Sequence, residues 1–245
     1  MPTALITGAD RGLGLSLTRR LANMQWRVFA GSYLADWPEL GELAASMPDR
    51  ITLVDLNIGS DQSVESAAES LRNQVEILDL IVNNAAVSSP YNDRTIHDQL
   101  DYADIMRVFD INSLGALRVT NAFLPLMNES QMKRLCFISS EAGSISRCTR
   151  ESWYGYCMSK AALNMGVMQL FHHLRPYGYT FRLFHPGWMK TYMSGKKNDR
   201  AELEPDDVAA AALAYFINGR GRIAGGQDDE DRLVMRDWSG REWPW

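Results

Sequence analysis

The chain has little from which to build a disulfide framework, a metal centre or a membrane span. Its three cysteines, Cys136, Cys148 and Cys157, are an odd number and show no metal-ligand spacing. They read as reduced thiols of a cytosolic protein. The four histidines also lack a ligand spacing, and the adjacent pair His172-His173 cannot share a helix face. No apolar run is long enough to cross a bilayer, and a strand-like stretch beginning by Thr3 leaves no room for a signal peptide. Basic residues are not in surplus. Lys and Arg total 25 against 30 Asp and Glu, a net charge of -5. That excludes the basic stripe a nucleic-acid surface needs. The acidic cluster Asp228-Asp229-Glu230-Asp231 reads as a solvated loop. Repeats, low-complexity segments and linkers are missing. The expectation is a soluble, cytoplasmic protein that binds neither nucleic acid nor membrane.

What is present is core. The 245 residues are 46% hydrophobic, enough for one domain spanning 1–245. Short apolar runs alternate with helical periodicity. Thr3-Ala4-Leu5-Ile6-Thr7, Arg27 to Gly31, Ile51 to Val54, Leu78 to Val82, Lys133 to Ile138 and Tyr179 to Phe184 read as strands. Helices are expected over Leu13–Met24, Trp37–Met47, Asp61 (as N-cap) to Val75, Tyr102–Met127, Tyr154–Leu174 and Pro205–Ile217. Pro125 should bend or end the fourth of these, and Leu233-Val234 suggest a short last strand. Such alternation calls for an α/β fold, a doubly wound parallel sheet with helices on both faces. Ligands bind at the carboxyl edge of such sheets, where the irregular stretches Ser88–Asp98 and Glu141–Trp153 fall. Met193–Leu203 is a candidate lid.

Between the first strand and helix stands Thr7-Gly8-Ala9-Asp10-Arg11-Gly12-Leu13-Gly14. Gly8 permits a tight turn, while Gly12 and Gly14 admit close backbone and ligand approach. The helix that follows aims its N–H groups at a pyrophosphate. Gly8, Asp10, Arg11, Gly12, Leu13 and Gly14 are therefore candidate cofactor-binding residues, with Ser32 at the end of the second strand. That strand ends in Gly31-Ser32-Tyr33, without the carboxylate that binds a ribose 2′-OH. Arg11 can pair with a 2′-phosphate, although Asp36 lies nearby. NADP(H) is expected over NAD(H).

Tyr156 and Lys160 are one helical turn apart, on one face. An ammonium beside a phenol favours the phenolate and lowers a pKa that is ordinarily about 10. Tyr156 can then give a proton to a carbonyl oxygen or take one from an alcohol. The spacing alone is common, so the neighbours decide. Phe137-Ile138-Ser139-Ser140 ends the fifth strand, where a serine hydroxyl can steady a substrate oxygen.

The spacing Thr-Gly-x-x-x-Gly-x-Gly, Asn83-Asn84-Ala85-Ala86 after the fourth strand, Asn112, Ser139-Ser140 and Tyr156-Cys157-Met158-Ser159-Lys160 together resemble the short-chain dehydrogenase/reductase family. Ala86 replaces the family's usual glycine. Gly143-Ser144-Ile145, Tyr154-Gly155-Tyr156 and the ending Asp237 to Trp245 look like its C-factor-like branch, akin to small carbonyl reductases. The resemblance implies a Rossmann-type fold and hydride exchange between a nicotinamide cofactor and a carbonyl or alcohol. It implies that Asn83 and Ala85 line the adenosine ribose and that Asp55 and Leu56 meet the adenine. It favours Ser140 over Ser139, makes Asn112 a water-holding relay, and has Lys160 bond the nicotinamide ribose. His185-Pro186-Gly187-Trp188-Met189-Lys190-Thr191 would run along the nicotinamide, with Pro186, Gly187, Met189 and Thr191 in contact. Tyr154 is the rival for Tyr156, but only Tyr156 has Lys four positions on. A homodimer or homotetramer through the long helices is implied. A cofactor-binding signalling or sensor protein remains the alternative. Arg147 and Arg150, before Tyr156, could favour an anionic substrate, with a solvated loop as the plainer reading.

Overall fold

Strand β1 (Thr3–Ile6) is buried along its whole length, because both faces of its sheet are covered. The computed structural model describes residues 1–34, 36–193, 195–217 and 231–245. Seven strands run parallel: β1, β2 (Arg27–Ser32), β3 (Ile51–Asp55), β4 (Leu80–Asn83), β5 (Arg134–Ile138), β6 (Thr180–His185) and β7 (Met235–Asp237). An antiparallel β8 (Glu242–Trp243) closes one edge. The order is β3-β2-β1-β4-β5-β6-β7-β8. Strand order reverses between β1 and β4, which opens a crevice at their carboxyl ends.

Two apolar layers flank the sheet. One joins α1 (Gly12–Asn23), α2 (Pro38–Ser46) and α7 (Pro205–Ile217) to the strands through Leu17, Leu21, Leu40, Val208 and Phe216. The other joins α3 (Asp61–Arg72), α5 (Gly115–Met127) and α6 (Tyr154–Leu174) through Leu71, Val119, Phe123, Val167 and Phe171. A doubly wound α/β domain is the result. Asp206 in the acidic first turn of α7 pairs with Arg20 of α1 at 2.5 Å, which ties those helices together.

Three expectations need correcting. The helix expected over Tyr102–Met127 is divided. It comprises α4 (Tyr102–Phe109), a π-helical turn (Asp110–Leu114) and α5, with Pro125 retained inside α5 two residues before its end. Asp61 is not the cap of α3. Ser60 caps it, accepting from Ser63 N–H at 3.3 Å, and Asp61 sits in the first turn. The last strand lies at Met235–Asp237, just beyond Leu233-Val234, and turns back into β8 around Asp237, whose carboxylate accepts from the Ser239 and Arg241 N–H groups. Of the acidic cluster, Asp228 to Glu230 lie outside the described residues. Asp231 pairs with Arg175. Among the described residues no helix is long and apolar enough to cross a membrane.

Candidate active site

The crevice floor is the loop from β1 to α1. Gly8 and Gly12 have φ of 63° and 57°, a region that L side chains rarely adopt. A Cβ on Gly14 would lie 2.1 Å from the Gly8 carbonyl oxygen, so only glycine fits there. Asn84 shapes this loop, donating from Nδ2 to the carbonyls of Thr7 (2.9 Å) and Gly8 (3.0 Å). Thr7 Oγ1 accepts from the Asn84 and Ala85 N–H groups at 3.0 Å each. The first turn of α1, which holds Leu13, has neither a side-chain cap nor an acidic residue. Its N–H groups are thus free for an anion. Asn83 Oδ1 is buried with no partner, although its Nδ2 donates to Thr120 Oγ1. A glycine cradle, an uncapped helix and an orphaned acceptor together fit a dinucleotide.

Asp10 has a structural task within the loop. It is buried, and its carboxylate accepts from Ser32 Oγ (2.9 Å), Tyr33 N–H (3.0 Å) and Leu34 N–H (3.1 Å). Asp10 and Ser32 therefore shape the turn after β2 from within. Arg11 donates to the Tyr192 carbonyl at 3.0 Å, and its guanidinium carbon lies 4.7 Å from the Trp37 ring centre. It has no carboxylate partner among the described residues. Asp55 is exposed at the end of β3, while Leu56 is buried against Gly31. Met189 bridges to Leu203, so the last residue of the candidate lid returns beside the segment that precedes it. Thr191 Cγ2 would touch a Cβ on Gly12 at 3.3 Å, which places the segment over the glycine loop. Gly187, after Pro186, has φ 75° and packs so closely on Leu203 and Trp238 that a Cβ would lie 2.5 Å from each.

At the carboxyl end of β5 the structure brings Ser140, Tyr156 and Lys160 together. Ser139 is committed elsewhere, donating to Asn164 Oδ1 at 2.6 Å. Ser140 caps a short 3₁₀ turn and accepts from Ala142 N–H at 3.1 Å. Its hydroxyl lies close enough to the Tyr156 phenol to favour the phenolate. Lys160 is 2% exposed, donates to the Ile138 carbonyl at 3.0 Å, and lies 5.8 Å from the Tyr156 ring centre. Burial dominates both titrations. It pushes the phenol up to about 12, against the downward pull of the nearby Ser140 hydroxyl, and Glu141 pushes the same way as burial. It pulls the Lys160 amine down to about 8. The phenol is thus not acidified as the amine's proximity leads one to expect: burial is the largest influence on it and acts upward.

Asn112 lies in the π-helical turn, a feature frequent at functional sites. Its amide does not bond its own helix. It accepts from Val87 N–H (2.8 Å) and donates to the Val87 carbonyl (2.9 Å) and Ser159 Oγ (3.1 Å). That clasps the loop after β4 to α6, one residue before Lys160. Arg150 is spent on Glu141 in a two-point ion pair of 2.6 and 2.8 Å, and Arg147 is exposed. Tyr154 donates to the Glu151 carbonyl at the surface. Asn84 and His185, which lie within motifs read from the sequence but carry no assigned role there, and Trp153, which lies in none, also shape the site. His185 Nδ1 accepts from Glu141 N–H (3.2 Å) and Gly187 N–H (3.4 Å), joining the two turns that flank the crevice.

Residues 2–202 match the family model described as short chain dehydrogenase. The chain belongs to the short-chain dehydrogenase/reductase family. It is 38% identical over 168 residues to the C-signal of Myxococcus xanthus, covering 69% of this chain and 93% of that protein. It is 30% identical over 219 residues to the 1-hydroxy-2-glutathionyl-2-methyl-3-butene dehydrogenase of Rhodococcus sp. (strain AD45), covering 89% and 92%. The NADPH-bound carbonyl reductase from chicken fatty liver superposes with a TM-score of 0.86 at 27% identity, covering 100% of this chain and 99% of that one. The family member is thus an NAD(P)-dependent oxidoreductase of the C-factor-like and carbonyl-reductase-like branch.

Proposed function

We propose that residues 1–245 form one catalytic domain that reduces a small carbonyl substrate with NADP(H), Tyr156 being the proton donor. The observation that carries this reading is the phenol itself. It lies buried in the first turn of α6, with Lys160 Nζ 5.8 Å from its ring centre and bonded to the Ile138 carbonyl at the end of β5 that leads into Ser140, and burial keeps it protonated at neutral pH. A bound nicotinamide would supply the hydride. The rest is done by this chain. Ser140 hydrogen-bonds the carbonyl oxygen and steadies the negative charge that develops on it. Tyr156 gives its proton to that oxygen, a transfer favoured because an alkoxide is far more basic than a phenolate. Lys160 sits beside the ring, and its positive charge stabilises the phenolate left behind. Its remaining hydrogens are available to the nicotinamide ribose. Asn112 keeps the loop after β4 against α6, and its carbonyl oxygen has capacity for one more donor, which suits a water of a proton relay.

Preference for NADP(H) is supported by Arg11, a cation without a carboxylate partner among the described residues, beside the glycine loop. The 2′-phosphate would meet a guanidinium suited to two-point contact. Pro186, Gly187, Met189 and Thr191 would flank the nicotinamide, Asn83 and Ala85 the adenosine ribose, and Asp55 and Leu56 the adenine. A cytoplasmic homodimer or homotetramer is the accompanying assembly. It is supported by the exposed Tyr102 and Met106 of α4 and Met158 and Met165 of α6. The relation to C-signal favours, as a second reading, a cofactor-binding signalling protein. A panel of ketones and aldehydes, followed by loss of NADPH absorbance and repeated with NADH, separates the two. Turnover with NADPH preferred supports the reductase. Cofactor binding without turnover of any substrate supports the second reading.

A further inference from the structure

We propose that Trp153 is a positioning residue for Tyr156, held in a left-handed backbone conformation so that its indole buttresses the phenol ring. The inference rests on the reading of Tyr156 as proton donor. Among the described residues three non-glycine positions have positive φ: Gln25, Lys133 and Trp153. The first two lie in turns leading into β2 and β5, at the amino edge of the sheet, remote from the crevice. Trp153, with φ 69° and ψ 29°, stands at the N-terminus of α6, three residues before Tyr156. A bulky residue in this region is an outlier, and such strain persists only where the surroundings over-determine it.

The surroundings do so here. Trp153 N–H donates to the Asn92 carbonyl at 2.9 Å, which stitches the long loop after β4 to the start of α6. Its own carbonyl accepts from Cys157 N–H at 2.9 Å and so begins the helix. The Arg150 guanidinium carbon lies 5.7 Å from the indole centre. The indole meets the Tyr156 ring edge-on, with centres 6.0 Å apart and planes at 82°. The left-handed turn at residue 153, not helical spacing, sets where the indole stands against residue 156. The intervening Gly155 brings no side chain, and a Cβ there would press on Ile105 Cα at 3.3 Å. Tyr156 thus has Lys160 Nζ at 5.8 Å and the Trp153 indole centre at 6.0 Å from its ring centre. Between them they fix the ring whose hydroxyl must face Ser140.

Three substitutions separate strain from support. Trp153→Ala and Trp153→Gly both remove the ring, but only glycine relieves the backbone. The glycine variant should therefore melt above the alanine variant, the reverse of the ordinary order. Both should lose turnover by roughly 10- to 100-fold, with the dissociation constant for NADPH unchanged. Trp153→Phe keeps an aromatic ring and should stay within about threefold of the wild type, given the small share an aromatic edge contact contributes. An activity-independent arm uses ring-labelled tyrosine and NMR, with the Tyr156 signals assigned from Tyr156→Phe. Slow ring flipping is expected in the wild type and Trp153→Phe, and fast averaging in the other two. Wild-type turnover or unaltered flipping in Trp153→Ala overturns the proposal, as does an alanine variant that melts at or above the glycine variant. A wild type that reduces no carbonyl ends the reductase reading alone, because flipping and melting order still report on Trp153.

Discussion

Replacing Lys160 by methionine should make the protein more stable while it destroys activity. The amine is 2% exposed, and burial draws it from an ordinary 10.5 down to about 8. At neutral pH the charged form is thereby disfavoured by about 3 kcal/mol relative to the unfolded chain. Methionine has a similar length and no charge. Against the gain stands the lost hydrogen bond to the Ile138 carbonyl at 3.0 Å, worth about 1 to 2 kcal/mol once the bared acceptor is included. A net gain of about 1 to 2 kcal/mol remains, or roughly 2 to 8 °C in melting temperature for a chain of this size. The sign with pH follows from proton linkage. Between about 8 and 10.5 the unfolded chain binds the proton more tightly than the folded one, so wild-type stability from this group rises with pH in that window. The advantage of Lys160→Met should be full below pH 8 and shrink as the pH climbs. Calorimetry on both proteins from pH 7 to 10 measures it, beside an NADPH oxidation assay. A variant that melts below the wild type at pH 7, or a difference that does not change with pH, refutes the reasoning that burial governs this amine.

Two further outcomes follow from the same geometry. Arg11→Ala should weaken NADPH binding by roughly 10- to 100-fold, the range for a charge-assisted phosphate contact, and leave NADH nearly untouched; titration by cofactor fluorescence reads both. Burial holds His185 below its ordinary value of 6.5, while Glu141 and Asp237 pull it upward and Arg150 downward. Acid should therefore destabilise the protein as pH falls through and below that value, because the unfolded chain takes the proton first. In His185→Asn that part of the melting-temperature slope should vanish, and an unchanged slope would assign it to other groups.

The sheet was legible in the sequence because each buried strand is a short apolar run closed by a turn, and the runs from Thr3 to Phe184 recur between helical patterns. The crevice was legible for a related reason: Gly8, Gly12 and Gly14 stand where only glycine fits. The division of the helix at Asn112 was not. A π-helical turn keeps helical composition on both sides, and what holds it, the clasp from Asn112 to Val87 and Ser159, is made between distant residues. The structural task of the Asp10 carboxylate is not legible in its own loop, since its partners Ser32, Tyr33 and Leu34 come from the next strand's end. The phenol's titration went opposite to expectation because a four-residue spacing shows a neighbour but not its burial. Trp153 carries no sequence signal for the same reason, since it acts through backbone conformation, and the motif that holds His185 does not show that its ring nitrogen joins two turns.

The central claim is that the Tyr156 hydroxyl delivers the proton. It is tested most directly by measuring carbonyl-dependent NADPH oxidation in Tyr156→Phe against the wild type, with NADPH affinity measured on the same samples. The account predicts turnover reduced at least about 100-fold, the lower range for losing a positioned proton donor, with cofactor affinity preserved. Turnover at the wild-type rate in that variant would contradict it.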